Sequence, residues 1–484
     1  MRRIFSNTFA ALAAGFCLRL FLVLKFPANS GDTVLYEQIA TNWLKHGTYA
    51  MNVGGAVTPV DLRMPGYPAF LALIYALTGR TGADARLFVM LAQIAVDLLG
   101  CLIIARLARL LAMTSAGVTA DDRVYRSALW LAVLCPFTAN YTAVPLTEVF
   151  AIFWTGLACS VLVCAIRRIQ QPDFLVKGSH MPLGKSVEYT AIGAGLIVGV
   201  GTLFRPETPI LLVAAGMVFG GVLLVHWNFK RWFWVSVAMA LGCIMVLSPW
   251  AGRNLVTLGE PQFLAPKNSN LPGELVPYGF MAWEKTWLYR VSDCYLVPWK
   301  LDDEAIDVDS IPARAFDTAD EKRRVAAILE TYNDDLTLTP EEDAAFGQLA
   351  RERNVRHPLR TYLWLPAGRA VTIWFTPRIE LLPVSGNVFP LLQNWYDDRL
   401  DQSVTAVFFL VNTVYVGLAV WGVVRLWRWN SAVRPAVALL VVFILLRTAF
   451  LTTLEAPEPR YVLVCFPALI ALAAQVFARP FDAS

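Results

Sequence analysis

Charge is scarce in this chain. Of its 484 residues only 16% are Asp, Glu, Lys or Arg, against 57% hydrophobic, whereas soluble domains carry about 25% charged residues. That shortage argues against a disordered or soluble globular protein, because a single buried core stops growing at about 250–300 residues. With a mean hydropathy of +0.52, the bilayer is the natural solvent for the excess. Histidine is rarer still: His46, His180, His226 and His357 are scattered without ligand spacing. The eight cysteines are unpatterned; all but Cys294 fall in apolar runs, and no CxxC or Cys/His spacing occurs. They support neither a disulfide framework nor a zinc site. Neither sign of charge dominates, with 41 basic and 37 acidic residues, so nothing in the bulk charge indicates nucleic acid. Low-complexity tracts and internal repeats are missing too.

What is present is a series of apolar stretches near the spanning length of about 20 residues. They fall at 8–24, 86–112, 127–144, 147–166, 190–204, 208–226, 232–250, 404–424, 433–453 and 461–478. The fifth is short, and the third contains Pro136 with polar Asn140 nearby. Gly195 and Gly199 in the fifth stretch, like Gly216 and Gly220 in the sixth, have the spacing that lets helices pack closely, although membrane composition alone also supplies such glycines. The first stretch reads as a retained helix, since no small-residue cleavage site follows it.

Basic residues set the orientation. With Arg2 and Arg3 in the cytoplasm, the inside loops carry Arg106, Arg109, Arg123, Arg126, Arg167, Arg168, Lys177, Lys185, Lys230, Arg231, Arg425, Arg428, Arg434 and Arg479. Every predicted inside loop is basic. Residues 66–79 are short and begin with glycine and proline, so they read as a helix lying at the outer interface. Two long outer segments remain, 25–85 and about 251–403. Residues 301–345 hold 14 acidic and 4 basic residues. There Thr339, Pro340, Glu341 and Glu342 form a strong helix start, predicting a helix over 340–353. The chain thus divides into an N-terminal transmembrane module (1–250), an outer segment with interfacial helices (251–403) and C-terminal transmembrane helices (404–484).

The polar residues that call for explanation gather on the outer side. Asp32 follows the first stretch and Arg63 lies in the same loop. Glu148 opens the fourth stretch, Arg205-Pro206-Glu207 closes the fifth, and Pro249-Trp250 with Arg253-Asn254 closes the seventh. Glu455, Glu458, Arg460 and Tyr461 precede the tenth. Each has an ordinary reading: arginines snorkel to lipid phosphates, Trp250 suits an aromatic belt, Glu148 suits a helix N-terminus, and Asp32 beside Gly31 suits a turn. Together they deliver carboxylates and guanidinium groups to one depth. Guanidinium binds phosphate bidentately, and a carboxylate can take a proton from an attacking hydroxyl. Trp283, Trp287 and Tyr289 offer faces for a sugar, or pack a core. These features point to glycosyl transfer from a polyprenyl-phosphate sugar, with arginines stabilising the leaving phosphate. Inside the membrane, Arg19 and Asp97 are costly unless paired, and adjacent stretches make an Arg19–Asp97 ion pair the preferred arrangement. Arg447 either snorkels or joins the outer cluster. No metal is indicated, although Asp32 and Glu148 leave a shared divalent cation open.

These residues carry a resemblance. Gly31-Asp32, Tyr36, Ala40 and Gly47, followed by Arg63-Met64-Pro65-Gly66-Tyr67-Pro68, resemble the C-type integral-membrane glycosyltransferases (GT-C), in particular bacterial members related to lipid A aminoarabinose transferases and protein O-mannosyltransferases. Pro249-Trp250-Ala251-Gly252-Arg253-Asn254 resembles that family's Pro-Trp-x-x-Arg-Asn signature; Pro145-Leu146-Thr147-Glu148 and Pro459-Arg460-Tyr461 resemble further recurring elements. The resemblance spans essentially the whole chain. It implies an all-α polytopic fold, a GT-C-like bundle of about 10 to 13 transmembrane helices, in the bacterial inner membrane. The active site faces the periplasm, and a polyprenyl-phosphate donor reacts with inversion at the anomeric carbon. On that basis Asp32 is the catalytic carboxylate, with Glu148 beside it, and Arg63, Arg205, Arg253, Asn254, Arg460 and Tyr461 contact donor phosphate or sugar. The acceptor is a lipid, glycan or protein. Leu62 stands where the aminoarabinose transferases have a glutamate, and the His-Pro-Pro element of the mannosyltransferases is missing. A flippase or transporter of lipid-linked saccharides is the alternative from another class, although transporters more usually show repeated halves; a glycan ligase or polymerase is the alternative within the enzymes.

Overall fold

In a computed structural model of the chain, residues 2–112, 122–170, 185–225, 228–266, 268, 274–377, 381–429 and 431–478 are described. Lys177, His180, His226 and Arg479 lie outside them. The protein is nearly all helix. Seven helical segments are long and apolar enough to cross a membrane, at 7–25, 82–112, 148–169, 229–258, 399–428, 431–451 and 459–477, with shorter apolar helices at 66–78, 187–202 and 210–224. This is a multi-pass membrane protein. Phe9, Leu24, Leu410, Trp421 and Leu445 point outward from these helices, as lipid-facing positions require when backbone polar groups are satisfied internally. Two segments are central, 148–169 and 459–477, with 72% and 78% of their apolar windows buried against protein.

The expected span at 127–144 is not one helix. It is built from Asp122–Val133, the short Pro136–Asn140 and the 3-10 turn Tyr141–Ala143. Pro136 lacks an N–H and its ring disfavours helix in the preceding residue, so the chain breaks at Cys135 and restarts. The glycine spacing divides as well. A Cβ on Gly195 would lie 2.0 Å from the Met239 carbonyl oxygen and one on Gly242 would lie 2.5 Å from that of Ile192, so helices Lys185–Thr202 and Phe229–Leu258 touch backbone to backbone. Gly216 has open space around it; its carbonyl instead accepts from Trp232 Nε1 at 2.9 Å.

Arg19 and Asp97 form the expected pair at 2.5 Å, both buried. Arg19 Nη1 donates to the carbonyls of Gly15 and Val133 and Nη2 to Cys101 Sγ, which satisfies the guanidinium in a setting where an unpaired charge is costly. One small hairpin departs from an all-α reading. Strands Ala50–Val53 and Ala56–Pro59 pair antiparallel, with Val53 opposite Ala56. Gly54 and Gly55 turn the hairpin at φ 56° and 84°, the double positive φ that a type I′ turn demands. The helix at 340 runs Pro340–Arg356, and Thr339 and Glu342 cap each other reciprocally. It packs on Tyr278–Glu284 over a separate apolar core that includes Trp283, Trp287, Tyr332 and Phe346. Trp283 and Trp287 are therefore core residues, with no face free for a sugar, and Tyr289 lies under the guanidinium groups of Arg290 and Arg314.

Candidate active site

Six stretches of chain meet at one end of the helix bundle around a cavity of about 230 Å³, Ala265-Pro266 being one of them. Asp32 lies in the first turn of helix Gly31–His46, whose start is fixed by Ser30 N donating to Thr33 Oγ1 at 3.1 Å. Thr33 Oγ1 in turn donates to the Pro145 carbonyl at 3.2 Å, tying this start to the segment that leads into Glu148. Glu148 opens helix Glu148–Ile169, where the positive end of the helix favours a carboxylate. Arg63 comes from the loop after the hairpin; its carbonyl accepts from Tyr49 Oη at 2.8 Å. Arg205 and Glu207 lie on the turn between helices Lys185–Thr202 and Ile210–Leu224, and Arg460 and Tyr461 on the 3-10 turn Pro459–Cys465.

The charges alternate around the cavity. Asp32 accepts from Arg63 at 2.7 Å and from Arg460 at 3.3 Å. Glu148 pairs with Arg205 at 2.6 Å, with Arg460 at 3.9 Å. Arg460 also meets Glu458 at 2.5 Å, and Tyr461 Oη donates to the other oxygen of Glu458 at 2.6 Å. The ring of Tyr461 lies under both Arg205 and Arg460, each 5.4 Å away. Behind Arg205, Glu207 stands at 3.8 Å and is held from the far side by Arg447 at 2.8 Å. Glu148 is only 2% exposed, and among the described residues its Oε2 has no hydrogen-bond partner. A buried carboxylate oxygen left so beside a cavity is expensive without a visitor to bond it.

These neighbours set the titration. Burial would raise the Asp32 carboxyl, but Arg63, Arg460 and Arg205 together hold it below its ordinary value. Burial would likewise raise Glu207, yet Arg447 and Arg205 bring it down to about 2. Tyr36, buried in the cavity wall, is pushed up to about 12, burial being the main cause. Asp32, Glu148 and Glu207 are thus each met by guanidinium groups, a donor set suited to an anion rather than a divalent cation.

Of the residues singled out by sequence, Asp32, Glu148, Arg63, Arg205, Arg460 and Tyr461 line this cavity. Arg253 and Asn254 do not. Arg253 is sandwiched between Tyr49 and Trp250, 5.3 Å from each ring, and donates to the carbonyls of Val60 (2.8 Å) and Tyr49 (2.7 Å). Asn254 is fully buried and donates to the Gln262 carbonyl at 2.9 Å. Arg253 thus braces the hairpin loop that ends at Arg63, and Asn254 Oδ1 accepts from it at 2.9 Å. Glu207, counted by sequence among the outer polar residues, lines the cavity too, and Arg447 joins the cluster through it at 2.8 Å, as an arginine near the end of a span needs a partner.

No family model matches the chain, and no curated protein matches it. Among solved structures it is similar to the oligosaccharyltransferase of Archaeoglobus fulgidus in the apo form, with 16% identity, a TM-score of 0.49, and 97% of this chain against 50% of that one. It is also similar to the archaeal oligosaccharyltransferase AglB from the same organism in complex with an inhibitory peptide and a dolichol-phosphate, at 14% identity and TM-score 0.47, again over 97% and 50%. The chain spans about half the length of the structures it matches.

Proposed function

We propose that this protein is an integral-membrane glycosyltransferase that moves a sugar from a polyprenyl-phosphate donor to an acceptor hydroxyl. The observation that carries this reading is the convergence of Arg63, Arg205 and Arg460 with Asp32 and Glu148 on a single cavity. The motif resemblance to the C-type enzymes supports it. In this reading the three guanidinium groups receive the donor phosphate, a role that suits their planar fork. The acceptor oxygen attacks the anomeric carbon and the bond from that carbon to the phosphate oxygen breaks. Its electron pair leaves with the lipid phosphate, and the hydroxyl proton passes to Asp32. Glu148 orients the acceptor through its unpartnered oxygen, and a single displacement inverts the anomeric centre.

The low position of the Asp32 carboxyl bears on this step. A carboxylate held down by two arginines is a poor base. When the donor phosphate draws Arg63 and Arg460 toward itself, Asp32 regains basicity, so proton removal is coupled to donor occupancy. Arg253 acts at one remove, by fixing the loop that presents Arg63, with Asn254 holding Arg253 in turn. The distribution of basic residues supports a cytoplasmic N-terminus with the cavity and the segment 251–403 on the opposite side; the motif resemblance supports a bacterial inner membrane with the cavity facing the periplasm.

The test uses purified protein in nanodiscs with a panel of polyprenyl-phosphate sugars and a membrane extract as acceptor source, following release of free polyprenyl phosphate. Wild type should release it, and Asp32→Asn should lose at least about 100-fold in rate while still binding donor. Equal turnover in both proteins would remove Asp32 from the mechanism. Donor binding without release in either protein would count for translocation instead.

A further inference from the structure

A second groove lies away from this site. It has a volume of about 650 Å³ and lies among Arg123, Arg126, Trp130, Leu134, Tyr415 and Phe477. Phe477 ends the run that begins at Pro459, next to Arg460, and Asn7, which also lines the groove, sits at the far end of helix Arg2–Lys25 from Asp32. Nineteen residues, 459–477, part α-helix and part 3-10 helix, separate the two levels, about 28–34 Å at 1.5–2.0 Å per residue, close to the thickness of the hydrocarbon layer. The groove therefore opens at the opposite membrane face from the cavity.

We propose that this groove binds an anionic glycerophospholipid, its phosphate between Arg123 and Arg126 and an acyl chain along Leu134 and Phe477. Arg123 and Arg126 are three residues apart on helix Asp122–Val133, so their side chains stand on one face. Arg126 spends only its Nε on a protein group, the Asp122 carbonyl at 3.3 Å, which leaves its two terminal nitrogens without a protein acceptor among the described residues. Those nitrogens form the fork that matches a phosphate. Below them the wall turns apolar, with Leu134 and Phe477 48% and 45% exposed, and a free phosphate has no use for such a wall. Trp130, whose Nε1 donates to Asn7 Oδ1 at 3.1 Å, sits between the charged and apolar parts, as interfacial tryptophans do. The groove is held in shape by Tyr415 Oη, which donates to the Leu131 carbonyl at 2.7 Å. Basic pockets between spanning helices are the physical form of anionic-headgroup sites.

Native mass spectrometry of the full-length protein in detergent, titrated with phosphatidylglycerol or phosphatidylcholine, tests this directly. Wild type should retain phosphatidylglycerol about tenfold more tightly than phosphatidylcholine. Arg123→Gln with Arg126→Gln should abolish that preference, whereas Arg123→Lys with Arg126→Lys should keep most of it. Leu134→Trp, which fills the groove and leaves the arginines intact, should reduce retention of both lipids. Arg106→Gln with Arg109→Gln removes the same charge outside the groove and should leave binding unchanged. Equal retention of the two lipids by wild type, an equal loss in the Arg106/Arg109 variant, or full displacement of the lipid by millimolar inorganic phosphate would overturn the proposal.

Discussion

Two clusters of arginine and carboxylate in this protein use the same residue types to opposite ends. In the segment between the spanning helices, Arg353 is fully buried and every nitrogen is taken: Thr286 Oγ1 at 2.8 Å, the Ala315 carbonyl at 2.8 Å, Glu321 at 2.6 Å and the Arg314 carbonyl at 3.1 Å. At the cavity, Arg205 has one close carboxylate at 2.6 Å and a second at 3.8 Å, and the space beside it is open. Glu148 there still has an unpartnered oxygen. A satisfied arginine packed among carbonyls is a strut; one whose charge borders a void is placed for a ligand. Charge and burial are similar in the two places, so the difference lies in what the remaining hydrogen-bonding capacity faces.

The contrast can be broken by substitution. Arg353→Met leaves Glu321 buried without its cation and should cost about 3–5 kcal/mol, read as a collapse of the melting temperature in detergent. Arg63→Gln, whose side chain is 18% exposed beside the open cavity, should cost less stability than Arg353→Met and lower donor turnover about 100- to 1,000-fold. If both kinds of variant melted alike, the distinction between strut and site would fail.

Acid sharpens the comparison by a smaller amount. Glu207 lies at about 2 in the folded protein and near 4.3 in an unfolded chain. A depressed carboxylate contributes stability that is fully present above the unfolded value and lost as pH falls toward the folded one. Thermal melts between pH 6 and pH 3 should therefore drop less steeply for Glu207→Gln than for wild type, and identical slopes would show that the Arg447–Glu207–Arg205 chain is not a source of acid sensitivity.

The smallest effect is expected at Glu284. It is buried with an unpartnered Oε1, and burial first, then nearby Glu455, hold its carboxyl well above the ordinary range. A raised carboxyl is neutral when folded, so its cost grows as pH rises. Glu284→Gln should melt within about 0.5 kcal/mol of wild type near pH 4 and increasingly above it as pH rises past the unfolded carboxyl value; a clear loss at pH 4 would mean the carboxyl has a partner to lose.

Much of the helical layout was legible because bilayer crossing demands long apolar runs. The Arg19–Asp97 pair was legible because each charge is intolerable alone in hydrocarbon, and the cap at Thr339 because its partners are local in sequence. The break at 127–144 was hidden in an apolar stretch whose proline alone does not say whether a helix kinks or stops. The hairpin at 50–59 is short, and its Gly54-Gly55 turn was the signal available. Arg253 and Asn254 look like ligands in sequence, being polar residues at a span end, and only packing against Tyr49 and Trp250 shows where their donors go.

By itself, then, the sequence determined that the chain crosses a membrane many times, where the apolar runs lie, and that charged groups collect at the ends of several of them. These follow from composition and local pattern, since hydrocarbon sets length and polarity one segment at a time. The tertiary structure decided which arginines surround an empty volume and which are consumed by backbone carbonyls. That depends on contacts between residues such as Asp32 and Arg460, 428 positions apart, which no local pattern encodes.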